Sequence, residues 1–130
     1  MIRVLTNGCF DVIHVGHVRL LEYCKSIGHV TVAINSDDSV RRLKGDNRPL
    51  NSQEDRAEVL RALKCVDEVI IFDDDTPEQL IRELMPDIIV KGGDYTVADV
   101  SGNSVCNDVR IFPTVSGHST TALISRARGR

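Results

Sequence analysis

Short apolar runs alternate with amphipathic stretches along the chain, and this alternation predicts strands that alternate with helices. Few polar residues interrupt the apolar runs, as expected for parallel strands whose two faces are both covered. The five predicted strands are residues 2–5, 30–34, 69–72, 88–90 and 109–112. The first is followed by a turn signal at 6–8. The order predicts an α/β fold, a Rossmann-like, doubly wound five-stranded parallel sheet with helices on both faces.

Helical spacing of apolar residues and local cap signals predict the helices. One helix is expected over 17–27, with Gly28 where a C′ glycine belongs. A second begins at 51–54, where Asn51 is followed three residues later by a glutamate. A third begins with Thr76 as its cap and ends before Pro86. A last helix should begin near 119–121 and continue to Ala127.

The segment between the first strand and the first helix carries the strongest chemical signal. Residues 14–17 read HxGH. Two imidazoles three residues apart at a helix start can point to the same side, and the N–H groups of that helix end attract anions. The arrangement suits a triphosphate. Two other interpretations are a zinc half-site, which needs further ligands, and two unrelated surface histidines.

Three more polar segments follow strands or begin a helix, so all of them could reach one cleft. They are 41–46, 91–95 and 117–121. In parallel sheets of this type, ligands bind beyond the carboxyl ends of the strands, where the strand order reverses. Each segment has a plain alternative, namely a solvated face, a turn or an N-cap. Their joint placement favours a phosphate site.

Composition narrows the class of protein. The 130 residues include 16 Lys and Arg against 19 Asp and Glu, a formal net charge of −3, with 42% hydrophobic residues. That length predicts one domain over 1–130. The charge balance argues against a nucleic-acid partner bound through phosphate neutralisation. Four dispersed cysteines, no secretory signal and no apolar run of membrane-spanning length favour a cytoplasmic protein with reduced thiols and no membrane partner.

The polar segments together resemble the cytidylyltransferase-like nucleotidylyltransferases. The matching stretches, in the order of that family, are TNGCFDVIHVGH, RLKGDNRP, VDEVIIF, DTPEQLI, PDIIVKGGDY and GHSTT. The similarity runs from about Thr6 to Ile124 and is strongest to the domain that adenylylates D-glycero-β-D-manno-heptose 1-phosphate. It implies AMP transfer from ATP to a sugar 1-phosphate, with release of pyrophosphate, in lipopolysaccharide or surface-glycan synthesis.

The resemblance also implies roles for individual residues. The catalytic set would be His14, His17 and Lys44, which hold phosphates and neutralise their charge. The nucleotide-binding set would be Cys9, Phe10, Asp11, Gly16, Lys91, Gly92, Asp94, Ser119, Thr120 and Thr121. No residue is assigned as a metal ligand, because Mg²⁺ would be carried mainly by the nucleotide. A homodimer is also expected from the resemblance.

Departures from related patterns favour ATP over CTP. Glycerol-3-phosphate cytidylyltransferases are similar in length and in HxGH, but they carry arginines where this chain has Thr114 and Lys64. The stretch 96–108 resembles no assigned motif, so the sugar or polyol phosphate stays open. The alternatives are a cytidylyltransferase acting on glycerol 3-phosphate or another polyol phosphate, and a catalytically silent nucleotide-binding protein. The heptose enzyme is often fused to a sugar kinase, which is expected here as a separate protein or as the rest of a longer chain.

Overall fold

The computed structural model describes residues 1–93, 96–113, 124 and 127. Its strands are β1 (Arg3–Gly8), β2 (His29–Asn35), β3 (Glu68–Phe72), β4 (Ile88–Gly92) and β5 (Val109–Phe112). Its helices are α1 (Val15–Ile27), α2 (Asp37–Lys44), α3 (Gln53–Arg61) and α4 (Glu78–Leu84), with a short 3-10 turn at Val97–Asp99. The predicted α/β class is confirmed.

All five strands are parallel and lie in the order β3-β2-β1-β4-β5. The chain moves outward from β1 to β3 and then crosses back to β4 on the other side of β1. The order therefore reverses between β1 and β4. In an open sheet of this kind, that reversal opens a crevice beyond the carboxyl ends of the two central strands.

Alternation along the central strands divides the core into two layers. Val4 of β1 and Val90 of β4 pack in the layer that contains α1 and α3, whereas Leu5 and Ile89 pack in the layer that contains α4. All four side chains are almost fully buried. Burial on both faces explains why these strands read as continuous apolar runs.

The sequence prediction missed α2 and ended β1 too early. The strand continues through Gly8, where a turn was expected. Helix α2 buries only Ser39 and Val40 among its eight residues, so no apolar periodicity marks it. Its start is instead set by Ser36, whose hydroxyl accepts a hydrogen bond from the Ser39 N–H.

Helix starts also differ from the predicted caps. Ser52, not Asn51, caps α3 through the Asp55 N–H. The Thr76 cap is wrong, because Pro77 occupies the N-cap position of α4 and no side chain caps that helix. The end before Pro86 is as predicted, with Met85 in the left-handed region. Of the predicted last helix only Ile124 and Ala127 lie among the described residues, and both are helical.

Gly28 ends α1 for a different reason from the one predicted. Its φ of −179° is extended and not left-handed, so its backbone conformation does not require glycine. A Cβ at this position would lie 2.2 Å from the carbonyl oxygen of Ile2. Glycine is needed because the backbone of the segment before β1 passes directly against it, and the His29 N–H donates to that same carbonyl at 2.8 Å.

We therefore expect Gly28→Ala to lower the free energy of unfolding by about 1–3 kcal/mol, since the clash is with backbone that cannot rotate away. Chemical denaturation followed by circular dichroism measures this. Ser26→Ala, an exposed change two residues earlier in α1, is the control and should stay within about 0.5 kcal/mol of the parent chain. Equal stabilities for the two variants would contradict the assignment.

Candidate active site

A cavity of about 590 Å³ lies at the carboxyl ends of β1 and β4, where the strand order reverses. The structure brings nine of the predicted site residues to it. They are Cys9, Phe10, Asp11, His14, Gly16, His17, Lys44, Lys91 and Gly92. The other four, Asp94, Ser119, Thr120 and Thr121, lie outside the described residues.

The two histidines of HxGH form the start of α1. His14 is the N-cap, and its Nδ1 accepts a hydrogen bond from the Gly16 N–H at 3.0 Å. His17 returns the interaction, because its Nδ1 accepts from the His14 N–H at 3.2 Å. This is a reciprocal capping box built from imidazoles in place of the usual hydroxyl and carboxylate. It fixes both rings, whose centroids lie 3.9 Å apart.

The capping bonds determine where each neutral ring carries its proton. A nitrogen that accepts an N–H cannot also hold a proton, so the proton lies on Nε2 in both rings. Burial, reinforced by the neighbouring His14, lowers the pKa of His17 to about 4. His17 is therefore neutral at pH 7 and acts as a hydrogen-bond donor through Nε2, without a full positive charge.

The loop before this helix holds an unusual backbone conformation at Phe10. Its φ is +48°, in the left-handed region that residues with a side chain seldom adopt, at a typical cost of about 1–3 kcal/mol. The Phe10 ring is buried and lies 5.0 Å from the His17 ring. It also packs on Gly8, where a Cβ would come within 3.2 Å of it. Packing of this ring holds the turn that brings Cys9 to the cavity.

Asp11 is the buried acidic residue of the loop before α1. Its fully buried carboxylate accepts from the backbone N–H groups of Leu50 and Asn51 and from Nε of Arg48 at 2.9 Å. Burial alone would raise the pKa of Asp11, but these donors hold it below its ordinary value. The carboxylate is thus committed to the segment after α2.

Two lysines supply positive charge. Lys91, near the end of β4, is partly buried and donates to the Asn7 carbonyl at 3.3 Å. Burial lowers its pKa, and the charge of Lys44, at the end of α2, lowers it further. Lys44 itself is exposed at the rim. Their mutual repulsion would be relieved by an anion bound between them.

Arg56 connects the loops around the cavity through hydrogen bonds. Its side chain is fully buried in α3. Nη1 donates to the carbonyls of Cys9 and Asn35, each at 2.8 Å, and Nη2 donates to Asp37 at 2.9 Å. The residue after β1, the end of β2 and the first turn of α2 are therefore held by one guanidinium.

The wall on the α4 side has a different chemical character. It is formed by 75–77, just before α4, and by 99–101 in the connection from β4 to β5. Both segments offer carboxylate and hydroxyl groups. Glu78, the first residue of α4, accepts from the Gly102 N–H at 2.9 Å and so joins the two segments. Gly102 has φ +87° and lies against Ile81, where a Cβ would come within 2.7 Å of that side chain.

Sequence reasoning missed several of these residues. Arg48 lies in the RLKGDNRP stretch but was given no role. Arg56 sits among helix-forming residues, and nothing in the pattern marks a buried arginine. The segment 99–101 belongs to the stretch that matched no motif. Its only signal was position, because it follows β4 at the carboxyl edge of the sheet.

No group of three or more His, Cys, Asp or Glu side chains within 1–93 and 96–113 is arranged to hold a metal ion. Among the described helices none is long and apolar enough to cross a membrane.

Comparison with known proteins identifies the class. The sequence model of the Cytidylyltransferase-like family matches residues 5–115. The chain belongs to this family. It is therefore a nucleotidyltransferase, the class of enzyme that its motifs predict.

Individual relatives cover nearly all of this chain. The Bifunctional protein HldE of a Nitratiruptor species is 52% identical over 126 residues, which is 96% of this chain and 27% of that protein. HldE of Campylobacter fetus subsp. fetus is 52% identical over 127 residues, 97% of this chain and 28% of that protein. The chain thus spans little more than a quarter of their length. A solved structure titled as the lipopolysaccharide core biosynthesis protein from Thermoplasma volcanium has TM-score 0.76 and 26% identity, covering 89% of this chain and 99% of that one.

We expect Arg56→Met to destabilise the fold by about 3–5 kcal/mol, because it leaves buried carbonyls and the Asp37 carboxylate without their donor. Arg61→Met, at the exposed end of the same helix, is the matched control and should change stability by no more than about 0.5 kcal/mol. Urea denaturation of both variants measures the difference. Similar midpoints would show that the guanidinium network is unimportant.

His17 should make stability depend on pH between about 6.5 and 4. Unfolded His17 takes up a proton near its ordinary pKa of 6.5, whereas folded His17 does so only near 4. The unfolded state therefore holds more protons in this window, and stability falls as pH falls. His17→Gln keeps a capping acceptor but removes the titration, and should flatten the slope by up to about 1.4 kcal/mol per pH unit. Parallel curves of unfolding free energy against pH would contradict this.

Proposed function

We propose that this chain transfers AMP from ATP to a heptose 1-phosphate, giving an ADP-sugar and pyrophosphate. The observation that carries the proposal is the convergence of nine motif residues on one cavity at the strand-order reversal. Similarity to HldE proteins over 96–97% of this chain, and 27–28% of theirs, supports a heptose phosphate as the substrate. Family membership establishes the nucleotidyltransferase class. The proposal adds the identity of the base, the sugar and the acceptor phosphate.

The nucleotide is proposed to lie across β1 and β4. Its phosphates would face the Nε2–H donors of His14 and His17 at the start of α1, whose N-terminal end adds a partial positive charge. Lys44 and Lys91 would flank them. The base and ribose would lie near Gly92, where a side chain would collide with Leu20 at 2.9 Å and fill the space.

The reaction requires no protein nucleophile. An oxygen of the acceptor phosphate attacks the α-phosphorus in line, the new O–P bond forms, and the bond from the α-phosphorus to its bridging oxygen breaks. The electron pair leaves with pyrophosphate. Because the attacking oxygen is already anionic, catalysis consists of positioning and of stabilising the charge on the oxygens around phosphorus. Imidazoles held by the capping box are suited to this, since they need not reorient during the step.

The acceptor sugar is proposed to bind on the α4 side of the cavity. Its hydroxyl groups would meet the carboxylates and hydroxyls of 75–77 and 99–101, which are good partners for a polyol and poor partners for phosphate. The Asp75 carboxylate accepts from Nε of Arg42 at 2.8 Å and the Asp99 carboxylate from the Thr96 hydroxyl at 2.8 Å, and each keeps acceptor sites for a sugar hydroxyl. This placement leaves the acceptor phosphate pointing toward the cationic side.

Mg²⁺ is proposed to enter with ATP as part of the substrate. The Asp11 carboxylate is already committed to Arg48 and to two backbone N–H groups. Mg²⁺ would therefore be held largely by phosphate oxygens, where it neutralises charge on the leaving pyrophosphate. A homodimer is also proposed from the family resemblance, and light scattering of the purified chain would measure it.

The direct test combines two nucleotides with two acceptors. We expect pyrophosphate release with Mg²⁺, ATP and heptose 1-phosphate to exceed that with CTP or with glycerol 3-phosphate by at least about tenfold. A preference for CTP and glycerol 3-phosphate would replace the proposal with polyol-phosphate cytidylyl transfer. Nucleotide binding without turnover on any acceptor would favour the silent binding protein.

The same assay tests Lys44, which lies at the rim of the cavity. Lys44→Met should reduce kcat/KM by roughly 10²-fold, the usual loss for one donor aimed at developing charge. The matched control is Arg41→Met on the same helix, since Arg41 is exposed and paired with Asp38 outside the cavity. It should retain activity. Equal losses in both variants would indicate a general effect of net charge.

A further inference from the structure

Arg48 has an environment unlike that of the chain's surface arginines. It lines the cavity, yet its side chain is only 14% exposed. Arg41, Arg42 and Arg82, by contrast, keep about half of their side chains in water. Arg48 was assigned no role by the motif comparison, and no step described so far uses it.

The Asp11 carboxylate fixes the orientation of this guanidinium. Nε of Arg48 donates to Oδ2 of Asp11 at 2.9 Å, and Asp11 is itself fully buried. Among the described residues, Nη1 and Nη2 of Arg48 have no hydrogen-bond partner. The guanidinium is therefore anchored through one edge while its terminal nitrogens remain available at the cavity.

The charge of Asp11 does not cancel the attraction of Arg48 for a second anion. Asp11 also accepts from the N–H groups of Leu50 and Asn51, which share in stabilising its negative charge. Lys44 and Lys91 line the same cavity. Among the described lining residues, an anion that enters thus meets the cationic side chains of Arg48, Lys44 and Lys91, and of these Arg48 alone presents a planar fork of donors that matches two oxygens of a phosphate.

We propose that Arg48 binds a phosphate group of the substrates through its terminal nitrogens, with Asp11 as the positioning residue. The proposal rests on the proposed function only for the identity of the substrates. The shared chemistry is a phosphate, which could belong to the nucleotide or to the sugar phosphate. The family resemblance assigns Asp11 to the nucleotide-binding set. In this proposal Asp11 acts through Arg48 and the segment 48–51.

Binding measurements test the proposal without requiring turnover. Calorimetry with inorganic pyrophosphate and, separately, with a sugar 1-phosphate gives the dissociation constants of the parent chain and of Arg48→Met. We expect Kd to rise by about 10–100-fold for at least one probe, the effect of losing a charge-assisted forked contact. A rise for pyrophosphate assigns the nucleotide phosphates, and a rise only for the sugar phosphate assigns the acceptor. Values within twofold of the parent for both probes would overturn the proposal.

Two further variants separate binding from folding. Arg41→Met removes an equal charge outside the cavity and should leave both dissociation constants within twofold. Should Arg48→Met fail to fold, Arg48→Lys keeps the charge but lacks the fork, and its Kd should rise by about 3–10-fold. Unchanged binding in a folded Arg48→Lys chain would then overturn the forked contact. Loss of probe binding in a chain that shows no heptose 1-phosphate turnover would retain Arg48 as a phosphate-binding residue and reject only the proposed reaction.

Discussion

A single buried arginine sets the relative positions of the loops that form the active-site cavity. Arg56 donates to carbonyls beside the ends of β1 and β2, which are neighbouring strands, and to the first turn of α2. Backbone groups at the carboxyl edge of a parallel sheet have no further strand to pair with, so buried ones need another partner. This guanidinium joins the loop before HxGH to the first turn of the helix that carries Lys44, and the bonds of Asp11 to the segment 48–51 add a second connection. The shape of the cavity at the carboxyl edge of the sheet therefore depends on a fully buried side chain that is not among the described residues lining it.

The two histidines of HxGH combine a structural role at the start of α1 with the contacts proposed for phosphate. The Nδ1 atoms accept the capping bonds of the helix, which leaves the Nε2 atoms of these two cavity-lining residues as the donors proposed for phosphate. A replacement side chain that could donate a hydrogen bond but not accept one from the helix backbone would lose the N-cap. A replacement that could accept this bond but not donate one would lose the contact proposed for phosphate. The position of the rings, the tautomer and the first turn of α1 therefore have one common cause.

The fold was largely predictable from sequence because burial on both faces leaves a strong signal. The central strands β1, β2 and β4 were found for this reason, whereas the edge strands β3 and β5 are only partly buried and were found as short runs rich in β-branched and aromatic residues. The boundaries of β5 were predicted correctly. Helix α2 was missed because its exposed, charged residues give no periodic pattern, and the Thr76 cap failed because the helix starts one residue later than the capping rule assumed. The motifs identified nine of the residues that line the cavity. They did not identify Arg48 and Arg56, because both act through contacts that are distant in sequence. The partner of Arg56 at Cys9 is 47 positions away, and no local rule anticipates such a contact.

The two lysines that line the cavity act on each other. Burial lowers the pKa of Lys91, and the charge of Lys44 lowers it further. The first anion to bind between them would relieve this repulsion, so a second anion would meet a weaker attraction. In the proposed reaction the triphosphate carries more charge than the sugar monophosphate. The proposed substrates would then bind in a fixed order, the nucleotide first and the sugar phosphate second.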